Sequence, residues 1–308
     1  MDNAHQLLRD LAVVLGVAAV TTVLFQGLRQ PVVLGYVLAG LIVGPHVPIP
    51  IIASTHNVET LSELGVILLM FSLGLEFSIR KLVKVGPRAA VITALEVGTM
   101  IWLGFSAGRA LGWSVRESLF TGAMVSISST MIIAKVFKEQ LVDRKLADLV
   151  FGILVVEDLA AIVQVTLLTA VAKGLQPTTT NVLGTVLRLG GFLAAVVVVG
   201  LLVVPRMMRA VVGLKRTETT LVASVGFCFA MALLAQAMGY SVALGAFLAG
   251  SLVAESGVGH QIEKLVEPLR DMFGAVFFVS VGMLINPMLI AEHWHAVVVL
   301  SLVVIMGK

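Results

Sequence analysis

Between Lys145 and Lys173 lie 27 residues that are mostly apolar, and two adjacent carboxylates, Glu157 and Asp158, sit near the midpoint. A run of that length spans the ~30 Å hydrocarbon core of a bilayer. One ionisable side chain at that depth costs roughly 2.5–3.5 kcal/mol on insertion scales, and here there are two in a row. Such a pair is expected to face the protein interior or a water-filled cavity and to act as an ion or proton site. On a helix the two side chains project about 100° apart, so they take different partners.

The rest of the chain fits a membrane setting. It is 58% hydrophobic and 13% charged, with mean hydropathy +1.04, where a soluble domain carries about 25% charge. Eleven apolar segments are read at about 7–27, 31–48, 59–78, 88–110, 118–136, 146–172, 182–204, 218–238, 241–255, 266–286 and 294 to the end. Their length predicts an all-α polytopic membrane protein rather than a barrel, whose strands would be ~10-residue alternating segments. The single cysteine, Cys228, lies in an apolar run and gives no disulfide framework or zinc site. No GxGxxG, P-loop, HExxH or CxxC occurs, and nothing in the sequence points to an enzyme or to nucleic acid.

Loop charge alternates. Fifteen Lys and Arg fall in loops on one side, from Arg29 to Arg270, and five on the other: Arg9, Arg109, Arg116, Lys173 and Arg188. The positive-inside rule places the fifteen in the cytoplasm and the N-terminus outside.

An internal repeat is also present. Residues 11–40 align without gaps on 221–250, pairing Gln26 with Gln236, Gly16 with Gly226, Gly35 with Gly245 and Gly40 with Gly250. At nearly the same offset FSLGLEF (71–77) lies opposite VSVGMLI (279–285). The copies begin at segments 1 and 8. Seven segments apart, they run in opposite directions across the membrane, the pattern of secondary transporters with a site at the midplane. The expected organisation is a first repeat over 1–181, a linker segment over 182–217, and a second, incomplete repeat over 218–308. About 11 of 13 helices are then present, and the rest are expected beyond Lys308.

Three further groups fall at the depth of the acidic pair. Ser126, Ser128, Ser129 and Thr130 lie 8–12 residues into the fifth segment, roughly 12–18 Å deep. Their hydroxyls can take over backbone hydrogen bonds where a helix breaks, and broken helices expose carbonyls that bind cations. Lys308 lies about 20 Å into the last segment, where it can pair with the carboxylates. Glu96 and Gln164 are additional intramembrane candidates: Glu96 as a cavity-facing acid or a protonated partner of a neighbour, Gln164 lining a path or bonding between helices.

Together VVEDLAAIV, SISSTMI, PVVLGYVLAGLIVGPHV, LSELGVILLMFSLGLEF and SLVAESGVGHQIEKLVEPLRDMFGAVFFVSVGMLINP resemble the bacterial monovalent cation:proton antiporters, in the branch of potassium-efflux and sodium/proton exchangers. The resemblance implies an inverted-repeat antiporter fold with broken crossing helices, working as a homodimer in the bacterial inner membrane. It implies a scaffold domain from segments 1–3 and 8–10 and an ion-carrying core from segments 4–6 and the last ones. It places the cation (K⁺ or Na⁺) and proton carrier on Asp158, and a basic partner for Glu157 on Lys308. No cofactor is implied in this chain, though such proteins often carry a nucleotide-binding regulatory domain after the last helix. Two other readings fit the acidic pair: a cation channel or non-transporting sensor on the same scaffold, and a cation-coupled solute symporter.

Overall fold

In the computed structural model, residues 2–28, 30–46, 55–76, 79–129, 133, 137, 143–172 and 179–308 are described. Among them the chain forms twelve helices: α1 (Asp2–Gly27), α2 (Val32–Val43), α3 (Thr55–Glu76), α4 (Ile79–Ala110), α5 (Val115–Val125), α6 (Arg144–Ala172), α7 (Thr179–Gly213), α8 (Thr217–Ala237), α9 (Val242–Ala254), α10 (Gly259–Met283), α11 (Pro287–Glu292) and α12 (Trp294–Gly307). Five stretches, His5–Gly27, Val58–Leu75, Pro87–Ala110, Gly190–Gly213 and Thr217–Ala237, are long and apolar enough to cross a membrane. The helices α2 and α9, at 12 and 13 residues, rise only about 18–20 Å. Of the two, α9 is the more enclosed: ten of its thirteen residues are buried, against four of the twelve in α2.

Local chemistry sets several boundaries. Ser114 and Glu117 form a reciprocal capping box: the Ser114 Oγ accepts from the Glu117 N–H at 3.2 Å, and the Glu117 carboxylate accepts from the Ser114 N–H at 2.8 Å. The Ser241 Oγ caps α9 by accepting from the Leu244 N–H at 3.2 Å. The six-residue α11 adds a helix to the eleven expected. Asn286 starts it by accepting from the Met288 N–H at 3.0 Å, with Pro287 in the first helical position. A piece that short carries no periodic signal. The fifth segment, expected over 118–136, is helical in α5 only to Val125.

The chain divides into two compact units, one from Met1–Ser78 with Val196–Ile290, the other from Ile79–Ala195 with Ala291–Lys308. In the first, Val14 and Ala18 of α1, Ala39 and Val43 of α2, Val58 of α3, and Val276, Val279 and Met283 of α10 form an apolar core. The internal repeat explains its packing. Gly35 of α2 lies against the Thr21 backbone of α1, and its repeat mate Gly245 of α9 lies against Met231 and Ala232 of α8. Thr21 and Met231 are separated by the same 210 positions as the two glycines. The crossings between copies are reciprocal. A Cβ at Gly40 (α2) would overlap the Val279 carbonyl and Gly282 of α10; one at Gly250 (α9) would overlap the Phe71 carbonyl and Gly74 of α3. Phe71 and Gly74 are the repeat mates of Val279 and Gly282. Each copy therefore packs its short helix on the third helix of the other, backbone against backbone, as small residues permit.

In the second unit α4 is the hub. Gly104 of α4 meets Gly122 of α5 closely, the Thr93 Oγ1 donates to the Ile153 carbonyl of α6 at 3.3 Å, and Met100 packs against Gly307 of α12.

Candidate functional site

The site grows from the end of α5. The helix stops at Val125, Ser126 takes the cap position, and residues 127–129 leave the helix. Helical bonding resumes with the Ile133 N–H donating to the Ser129 carbonyl at 3.2 Å. A break deep in an apolar setting frees backbone donors and acceptors that need partners. Here they meet charge of the right sign. The freed Ser128 N–H donates to the Glu157 Oε2 at 2.9 Å, and the freed Ser126 carbonyl accepts from the Lys308 Nζ at 3.2 Å.

The Ser128 hydroxyl completes the junction. It accepts from the Lys308 Nζ at 2.6 Å and donates to the Glu157 Oε1 at 3.1 Å. The sequence reading pairs Lys308 with the carboxylates of α6. In the structure Ser128 links the two, because the broken backbone brings its hydroxyl between the ammonium and the carboxylate. Glu157 is 1% exposed, and this hydroxyl and this N–H give its two buried carboxyl oxygens their partners.

Its neighbour Asp158 is only partly buried. The contrast follows from the ~100° turn between consecutive helical side chains: one carboxyl is tied into the α5–α6–α12 junction, and the next position lies that far round the helix from it. Gln164 lies two turns beyond Glu157 on the same face, where its Nε2 donates to the Ser126 Oγ at 3.2 Å, and the buried Ser126 hydroxyl donates to the Ala123 carbonyl at 2.8 Å. Gln164 thus ties α6 to the end of α5. Glu96 of α4 is half-buried and shares a helix face with Thr93, bonded to Ile153 of α6, and with Met100, packed on Gly307 of α12. Ser129 is exposed, and Thr130 lies outside the described residues. Thr93 was missed by sequence reasoning: its hydroxyl bond to Ile153 fixes α4 against α6 one turn before Glu157, and a lone intramembrane Thr carries no signal beyond its spacing from Glu96.

Removing the Ser128 hydroxyl isolates this junction. Ser128→Ala leaves the backbone bond to Glu157 and deletes the link to Lys308. Loss of one hydrogen bond to a charged group is on the order of 1.5 kcal/mol, about tenfold in rate or affinity. The expected result is a fall in thermal stability of that order in the detergent-purified protein, with Ser128→Thr restoring most of it.

Comparison with known proteins adds three observations. The family described as "Sodium/hydrogen exchanger, transmembrane" matches residues 14–308. A putative cation/proton antiporter of Escherichia coli K12, YbaL, is 33% identical over 320 residues, covering 100% of this chain and 57% of its own length. K(+) efflux antiporter 5 of Arabidopsis thaliana is 32% identical, covering 98% of this chain and 54% of that protein. The chain thus spans about half the length of these relatives. Among solved structures, the sodium proton antiporter MjNhaP1 of Methanocaldococcus jannaschii superposes with a TM-score of 0.74 at 18% identity, over 99% of this chain and 76% of that one, which shows a shared fold.

Proposed function

The chain belongs to the sodium/hydrogen exchanger family, and from that premise we propose that it is the membrane part of an antiporter that exchanges a monovalent cation, K⁺ or Na⁺, for protons. Asp158 is the group that both ions compete for. The observation that carries this reading is the division of labour within one dipeptide. Glu157 is committed to Ser128, while Asp158, a residue later, is left partly exposed. A carboxylate in that position holds either a proton or a metal cation, and mutual exclusion is the minimal chemistry of exchange.

Three further elements belong to this reading. The N-terminus faces outward and the fifteen-charge loops face the cytoplasm of a bacterial inner membrane. The protein works as a homodimer. The inverted repeat supports alternating access, in which one site opens to each side in turn.

The test uses the full-length protein in vesicles with an internal acid and a pH-sensitive dye. Adding K⁺ or Na⁺ outside is expected to relieve dye quenching, and the cation concentration for half-maximal response is expected to rise as pH falls, because protons occupy the same carboxylate. Cation flux without proton counter-movement would replace exchange with a channel, and a half-maximal concentration independent of pH would remove the competition.

A further inference from the structure

The end of α5 is held to α6 at two points. Glu157 accepts from the Ser128 N–H and hydroxyl, and Gln164 donates to the Ser126 hydroxyl. The two α6 residues are seven positions apart, which is about 10 Å of rise and a rotation that returns to within ~20° of the same face. The two serines could not meet them from a helix. Two positions apart in a helix, they would be only about 3 Å apart along the axis and roughly 200° apart around it. Leaving the helix after Val125 brings both against α6. The same stretch of chain also meets Lys308, whose Nζ donates to the Ser126 carbonyl at 3.2 Å and to the Ser128 hydroxyl at 2.6 Å. Gln164 carries no charge, and the exchange chemistry does not use it.

Hydrogen count fixes the sense of the Gln164 bond. A serine hydroxyl has one hydrogen to give. That of Ser126, which is fully buried, goes to the Ala123 carbonyl in the last turn of α5 at 2.8 Å. Its oxygen then accepts, and the Gln164 Nε2 donates to it at 3.2 Å. Position 164 therefore calls for a donor. We propose that Gln164 is a positioning residue of the exchange site: as the donor to Ser126 it holds the break of α5 against α6, which keeps the Ser126 carbonyl on Lys308 and the Ser128 N–H and hydroxyl on Glu157. It acts through Ser126. Without it the first of the two anchor points is lost, and the Ser126 peptide is free to turn its carbonyl away from the Lys308 Nζ. The bearing on exchange rests on the reading of Asp158, the residue after Glu157, as the carrier; the anchoring of the break does not.

The experiment is amide hydrogen exchange of the full-length protein in lipid vesicles, read by mass spectrometry on the peptide that contains Ile127, Ser128 and Ser129. Gln164→Met keeps the length of the side chain and removes the donor. In it this peptide is expected to exchange roughly two- to tenfold faster than in wild type, the range that one neutral hydrogen bond supports, while peptides from residues 99–105 of α4 are unchanged. Gln164→Glu tests the sense of the bond and serves if methionine prevents folding. Its carboxyl donates when protonated and only accepts when ionised. The ratio of its exchange to that of wild type, taken at each pH, is expected to be near one at low pH and to rise as the carboxyl ionises. Equal exchange in wild type and Gln164→Met, or a Gln164→Glu ratio that does not rise with pH, overturns the positioning role. In vesicles Gln164→Met is expected to raise the cation concentration for half-maximal proton movement within the same range; a faster-exchanging break with a wild-type half-maximal concentration overturns the link to exchange. Cation flux without proton counter-movement in the wild type sinks the exchange reading instead, and leaves the amide-exchange result standing by itself.

Discussion

Asp158→Asn is expected to abolish cation-driven proton movement while the purified protein keeps its elution profile and helical content. Asparagine matches aspartate in size, so α6 and its contacts at Ile153, Glu157 and Gln164 should be undisturbed. What disappears is the charge. An amide takes up no proton in the working pH range, and it cannot offset the hydration that an alkali ion gives up on leaving water. Loss of a charged interaction worth roughly 2–3 kcal/mol is already about a hundredfold in binding. On the proposed exchange reading the same carboxylate also takes the proton, so both halves of the cycle fail together. Glu157→Gln should do less. Its amide oxygen can still accept from the Ser128 N–H, so the junction bends rather than breaks. The ordering of the two variants, with the second residue of the pair the severe one, is the discriminating result. Wild-type exchange in Asp158→Asn, or equal damage from both, would take the carrier role away from Asp158.

The positions that could be read from sequence are those where the membrane makes a residue costly or where geometry makes it repeat. Glu157, Asp158 and Glu96 are conspicuous because charge at bilayer depth is expensive. The glycine pairs at offsets of 208 and 210 are conspicuous because two helix crossings in the first unit admit no side chain. Gly16 and Gly226 are a useful contrast. They match in the repeat as well as the others do, yet nothing lies within 4 Å of a Cβ at either, so pairing by sequence does not by itself identify a packed position. The parts that stayed hidden depend on where chains are brought together. Ser128 reads as one hydroxyl among several in SISST. Only the break after Val125 singles it out, by turning its N–H and its Oγ toward the same carboxylate. The pairing of Lys308 with the α6 carboxylates is legible only as a matter of depth. Spacing along α12 gives its depth but not which atoms meet it, and these are the Ser128 hydroxyl and the Ser126 carbonyl. The far end of Gln164 could not be foreseen either, since a glutamine at that depth serves equally well toward water or toward another helix.

Gly250→Val should prevent the first unit from assembling. The Cβ would enter the space of the Phe71 carbonyl and the Gly74 backbone, and backbone atoms cannot swing away as a flexible side chain can. Relief requires α9 to move off α3. That move opens contacts along a helix in which Leu244 through Val253 are all buried. Overpacking costs typically 1–3 kcal/mol where a core can adjust, and here the neighbour is main chain on both sides, so the cost should exceed that range. Gly40→Val should fail in the same way against Val279 and Gly282 of α10, since the repeat makes the two crossings equivalent. The control is Gly226→Ala, in α8 of the same unit with open space around it. There alanine gains up to about 1 kcal/mol of helix propensity, and stability should hold or rise. Thermal unfolding and size-exclusion profiles of detergent-purified protein read all three. Wild-type stability in Gly250→Val would mean that the α3–α9 crossing is not the close backbone contact described, and the symmetric account of the unit would fail with it. Loss in both valine variants with stability kept in Gly226→Ala would separate crowding at the crossings from a general intolerance of these helices to substitution.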